Sequence, residues 1–113
     1  MTKFTPYRIE PKPWGEELVI AHTKDYLGKQ LTMHAGHRGG LQYHERKDET
    51  FYLVSGSARV RGADRVWHDM QPGEAYHIEP GTVHQVDAVT DCIFFECSTP
   101  VFNDRVNVGD PAA

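Results

Sequence analysis

Proline and glycine punctuate this chain so densely that they leave little room for a long helix: seven prolines and ten glycines fall within 113 residues. A proline inside a helix removes a backbone donor and clashes with the preceding turn, and glycine is a poor helix former. The runs between them are short and rich in β-branched and aromatic residues. This pattern predicts strands at Glu17–Ala21, Gln30–His34, Gly40–His44, Thr50–Ser55, Ala58–Arg61, Arg65–His68, Ala75–Ile78, His84–Ala88, Cys92–Cys97 and Arg105–Val108. Ala63-Asp64 reads as a hairpin turn and Gln71-Pro72-Gly73 as a second turn. Short strands with regular turn signals predict an all-β fold, a barrel or double-sheet jelly roll.

The length predicts one domain over residues 1–113, large enough to bury a core without disulfides. The first 16 residues carry Pro6, Pro11 and Pro13 and are expected to form an arm lying across another subunit. Residues 109–113 are expected to be a flexible tail. The net charge of -4, with no lysine and arginine cluster, argues against nucleic acid as a partner. No apolar run approaches the length of a membrane span, and no apolar signal segment opens the chain, so a cytoplasmic location away from membranes is expected. A small barrel has sheet edges to cover, which predicts a homodimer. Cys92 and Cys97 flank a strand-like run at odd spacing, which puts them on opposite faces and too far apart to bridge.

Chemistry concentrates in a few short segments. Gln42 and His44 are two apart and share one face of a strand. Glu49 follows after four residues, and His84 closes the distant turn Pro80-Gly81-Thr82-Val83-His84. Two imidazoles, a carboxylate and an amide oxygen make a ligand set suited to one divalent transition metal: Zn, Fe, Mn, Ni or Co. The other histidines sit in no such pattern.

These spacings resemble the two motifs of the cupin family. Six residues separate Glu49 from Gly56, sixteen separate Gly56 from Gly73, and Gly81 and His84 complete the second motif. The resemblance implies a cupin-type double-stranded β-helix with Gln42, His44, Glu49 and His84 as metal ligands. Gln42 stands where the first histidine usually stands. That substitution, with Leu41-Gln42-Tyr43-His44, the opening Lys12-Pro13-Trp14-Gly15, Gly36-His37-Arg38, Ser98-Thr99-Pro100 and Asp104, is similar to the cupin domain of class II mannose-6-phosphate isomerases. Gly40 replaces that group's serine, and Asn107 stands where one of its arginines belongs.

The resemblance implies a metal-dependent aldose–ketose isomerase acting on a sugar, sugar phosphate or related polyol. Such a reaction needs a proton carrier and an electrophile. Glu79, five residues before His84, is the expected general base. His77 is the expected second proton carrier, on the premise that Tyr76 and Ile78 face outward and His77 inward. Glu96, on an apolar strand and sharing parity with Cys92 and Phe94, is expected to line the pocket, and Lys29 and Arg38 to anchor substrate. Tyr52 is expected to pack. Two other readings use the same residues: an Fe(II)-dependent dioxygenase, and a non-catalytic sugar-binding or regulatory module.

Overall fold

The structure, a computed structural model, describes residues 2–4 and 8–109. The tail expected at 109–113 therefore lies outside the described residues, except for Gly109. Among the described residues eleven strands form in order: β1 (Arg8–Lys12), β2 (Gly15–His22), β3 (Leu27–Met33), β4 (Gln42–His44), β5 (Glu49–Ser55), β6 (Ala58–Arg61), β7 (His68–Met70), β8 (Ala75–Ile78), β9 (Gln85–Ala88), β10 (Cys92–Ser98) and β11 (Arg105–Asn107). No helix occurs among the described residues. The strands make a six-stranded sheet of order β1-β2-β3-β10-β5-β8, a three-stranded sheet β7-β6-β9 and a two-stranded sheet β11-β4. All pairings between these strands are antiparallel. This is the all-β double-sheet barrel that the turn spacing predicts.

The core lies between the sheets. Leu31, Met33, Leu53, Cys92 and Phe94 from the large sheet meet Ala58, Met70, Val86 and Ala88 from the three-stranded sheet, all buried. Strand alternation explains the split: β3 alternates buried and half-buried residues along its length. The same alternation places Cys92 in the core and Cys97 on the exposed face, both as free thiols. Gly56 closes the turn after β5 at φ 93°, where a Cβ would lie 2.2 Å from the Asp91 carbonyl oxygen. Only glycine fits there without displacement of backbone.

Three expectations about local structure need correction. Residues 8–12, within the predicted arm, form β1 and pair with β2. Pro11 is tolerated because β1 is an edge strand, where one row of donors is unpaired anyway. The strand expected at Arg65–His68 forms instead at His68–Met70. Asp64 captures the Val66 amide and Arg65 adopts φ 60°, which holds these residues out of the ladder. Trp67 stacks there on the guanidinium groups of Arg38, Arg59 and Arg61. Tyr52, expected to pack, is 43% exposed on the outer face.

Candidate metal centre

The two halves of the predicted constellation come together through backbone pairing. Gln42 N–H donates to the His84 carbonyl at 3.1 Å, and His84 N–H donates to the Gln42 carbonyl at 2.8 Å. Gly81 N–H donates to the His44 carbonyl at 2.7 Å, so the Pro80-Gly81 turn folds directly onto β4. Glu49 opens β5 and is buried.

His44 Nε2 lies 3.7 Å from Glu49 Oε2, and His84 Nε2 lies 3.5 Å from Glu49 Oε1. One ligand atom from each of these three residues falls within 4.8 Å of the others. Donors bound to one metal at 2.0–2.2 Å stand roughly 3.0–3.4 Å apart, so the two imidazole–carboxylate separations would shrink by a few tenths of an ångström, and the widest separation in the cluster, within 4.8 Å, by more. Glu49 Oε2 and His84 Nε2 are buried and have no hydrogen-bond partner among the described residues. Unsatisfied buried polar atoms are costly and rare. Two of them converging with a third ligand atom are what a cation would satisfy. Gln42 lines the same cavity, and its Oε1 would lie 3.0 Å from a Cβ on residue 40. Glycine at 40 leaves the amide clear of that close contact.

The orientation of both imidazoles is fixed from behind. His84 Nδ1 donates to the Thr82 carbonyl at 3.0 Å. His44 Nδ1 donates to Asp104 Oδ1 at 3.0 Å. Carbonyls and carboxylates only accept, so each Nδ1 carries the hydrogen, and in the neutral ring each Nε2 offers its lone pair toward Glu49. Burial lowers the His84 pKa below the ordinary histidine value of 6.5, which favours that neutral form.

Asp104 does more than orient His44. Its Oδ2 accepts the Arg46 amide at 2.8 Å and the Lys47 amide at 2.9 Å, closing the turn between β4 and β5. Burial alone would raise its pKa, but the two amides and His44 outweigh burial and hold it below the ordinary value of 3.8. Sequence reading noted Asp104 only as a shared acidic residue. Nothing in its local spacing marks it as the partner of a histidine 60 positions away.

Lys47 was missed altogether. Its ammonium is buried between two carboxylates, 2.9 Å from Glu96 Oε2 and 3.3 Å from Glu49 Oε2. Burial alone would lower its pKa, but Glu96 and Glu49 reverse that and hold it above 10.5. One cation shared by two acids leaves the acids undercompensated. Burial, and then the Glu96 charge, push the Glu49 carboxyl above its ordinary 4.5, against the pull of Lys47 and His44.

The ligands open into a cavity of about 560 Å³, walled also by Trp14, Lys29, Phe51, Glu96 and Phe102. Lys29 and Glu96 therefore lie in the pocket, and they are register partners across β3 and β10. Lys29 pairs with Glu17 at 3.0 Å. Charges thus alternate across the interior, from Glu17 through Lys29, Glu96 and Lys47 to Glu49. Three other predicted site residues do not line this cavity. Arg38 pairs with Asp87 at 3.0 Å on the far side of the three-stranded sheet. Glu79 is exposed. His77 is exposed and pairs with Asp48 at 2.6 Å. Its expected inward orientation is inverted, because Ile78 pairs with Glu49 and is buried, so His77 takes the outer face.

The "Cupin domain" family model matches residues 29–96. Among curated relatives, mannose-1-phosphate guanylyltransferase RfbM of Salmonella typhimurium is 30% identical over 76 residues, which is 67% of this chain and 16% of the relative. A mannose-1-phosphate guanylyltransferase of Salmonella muenchen is 30% identical over 65% of this chain and 15% of its own length. The chain thus spans less than a fifth of either relative. Among solved structures, KdgF from Halomonas sp. matches with TM-score 0.74 and 24% identity over 88% of this chain and 90% of that one. The capsular polysaccharide assembling protein CapF from Staphylococcus aureus matches with TM-score 0.81 and 18% identity, over 93% of this chain and 33% of that one. An RmlC-like cupin from Shewanella frigidimarina matches with TM-score 0.74 and 19% identity over 87% of each chain. At these identities the structural likenesses establish the fold.

Proposed function

We propose a function from the premise that this chain belongs to the cupin domain family: it is a divalent-metal-dependent aldose–ketose isomerase acting on a sugar or related polyol. The observation that carries this reading is the pair of unsatisfied ligand atoms, Glu49 Oε2 and His84 Nε2, at the wall of a cavity lined by alternating acids and bases. His44, Glu49, His84 and the Gln42 amide oxygen would hold the metal. Bound there, it would supply Lewis-acid polarisation of a carbonyl oxygen.

The chain's own residues account for the rest. Hydroxyl groups both donate and accept, and Glu17, Lys29 and Lys47 offer both kinds of partner. Trp14 and Phe102 offer apolar faces for the C–H side of a sugar ring or chain. Glu96 takes the role expected of Glu79 and His77. Its carboxylate removes the proton from C2, beside the aldehyde carbon, and returns it to C1. A second proton passes from the C2 oxygen to the C1 oxygen, so the product ketose has the atoms of the aldose. The relatives named for mannose-1-phosphate chemistry support a sugar as ligand.

The test is an aldose panel incubated with fully metal-loaded protein and read by NMR for the ketose. Glu96→Gln, assayed at saturating metal, is expected to lose about 10²–10⁴ in turnover. Absence of exchange by the loaded wild type across the panel refutes the isomerase; ligand binding without turnover would then support a sugar-binding module. Oxygen uptake by the iron-loaded protein would support the dioxygenase. We also infer a homodimer, from Tyr52 and Phe95, register partners that are both exposed on the outer face of the large sheet. Sedimentation at the monomer mass refutes it.

A further inference from the structure

We propose that Glu96 anchors Lys47 away from Glu49, and that this positioning sets how tightly the metal is held. The inference rests on the metal site described above and concerns two residues outside its ligand set. Lys47 has little freedom. Its backbone amide is held by Asp104, and its side chain is only 8% exposed. A buried ammonium must stay paired, since water cannot compensate it. Two carboxylates are within reach, and it favours Glu96, at 2.9 Å against 3.3 Å for Glu49. The nearer contact is to Glu96 Oε2, which also accepts the Ser98 hydroxyl at 3.2 Å and is fixed by it. Toward Glu49 Oε2 the ammonium stands back at 3.3 Å, and among the described residues that oxygen has no other polar partner than this ion pair and the nearby His44 ring.

The consequence is competition between two cations for one oxygen. An ammonium drawn fully onto Glu49 would block the metal and repel it. One held by Glu96 leaves Glu49 available. Glu96 is therefore a positioning residue for the metal site although it lacks contact with the ligand atoms of His44 and His84. A purely structural role would make loss of Glu96 harmful however Lys47 is treated. The anchoring role makes the harm depend on Lys47.

The experiment is calorimetric titration of Zn(II) into chelator-stripped protein, with circular dichroism confirming that each variant is folded. Glu96→Gln is expected to weaken Zn(II) binding by roughly 10–100-fold, the usual cost of losing an outer partner of a metal ligand. Lys47→Met combined with Glu96→Gln removes the competing ammonium together with its anchor, and is expected to restore affinity to within about threefold of wild type. Glu96→Asp keeps the charge but shortens the arm, and should give a smaller loss in the same direction should the glutamine variant fold poorly. Unchanged affinity in Glu96→Gln, tighter binding in Glu96→Asp, or a double variant as weak as Glu96→Gln overturns the inference alone. A wild type that binds no Zn(II) overturns the metal site with it.

Discussion

Replacing Asp104 by asparagine tests whether the hydrogen bonds behind the ligands control the site. The carboxylate has two jobs on two oxygens: Oδ2 accepts the amides of Arg46 and Lys47, and Oδ1 accepts from His44 Nδ1. Asparagine has one acceptor oxygen and one donor nitrogen. The two amides can only donate, so the carboxamide oxygen must face them and its NH₂ must face His44. His44 Nδ1 then becomes the acceptor, its hydrogen moves to Nε2, and the lone pair needed by a metal is lost. The turn keeps both amide contacts but trades a charged acceptor for a neutral one. That difference is worth about 1 kcal/mol per bond, or roughly 1–3 kcal/mol in all. Metal affinity should fall by roughly 10–100-fold. Urea unfolding measures the first quantity and Zn(II) calorimetry the second, while imidazole ¹⁵N shifts report the tautomer. Asp104→Asn that binds Zn(II) within about threefold of wild type, with hydrogen still on Nδ1, refutes the reasoning.

Acid should expose the same carboxylate. Its pKa is depressed in the fold, so its stabilisation is complete above the unfolded value of 3.8 and is lost as pH falls through the lower folded value. The urea-midpoint gap between wild type and Asp104→Asn, open at pH 7, should narrow below about pH 4; a constant gap refutes the assignment. Gly56→Ala should cost roughly 2–6 kcal/mol, combining a strained φ with overpacking against backbone. Gly73→Ala should cost only the conformational part, because it has a similar φ of 92° and nothing within 4 Å. Equal midpoints for the two variants would count against the close approach at Gly56.

The parts of the fold and site that sequence reading captured are those encoded locally. Gln42, His44, Glu49 and His84 sit in short segments whose spacing follows from strand alternation and tight turns, so their convergence was legible. Asp104 was not, because its role depends on pairing β11 with β4. Lys47 sits in the run Glu45-Arg46-Lys47-Asp48, which reads as a solvated turn. Only the capture of its amide by Asp104 makes the turn tight, and burial follows from that tertiary contact. His77 failed for another reason. Parity along β8 was correct as an alternation, but which face was inner depended on Ile78 lying opposite Glu49. β1 was hidden by its prolines, whose breaking effect is weak at a sheet edge.

The reciprocal pair of amides joining Gln42 and His84 has a consequence for dynamics. These two bonds form an isolated bridge outside the longer ladders, so they are free to open without unzipping a sheet. When they open together with the Gly81 amide bond to the His44 carbonyl, β4 and the turn carrying His84 part, and the ligand cluster disassembles while the hydrophobic core stays closed. The cluster's lifetime is then set by a local fluctuation smaller than global unfolding. Amide hydrogen exchange at positions 42 and 84 is the direct clock of that opening, and any ligand that spans the two segments would slow both amides together.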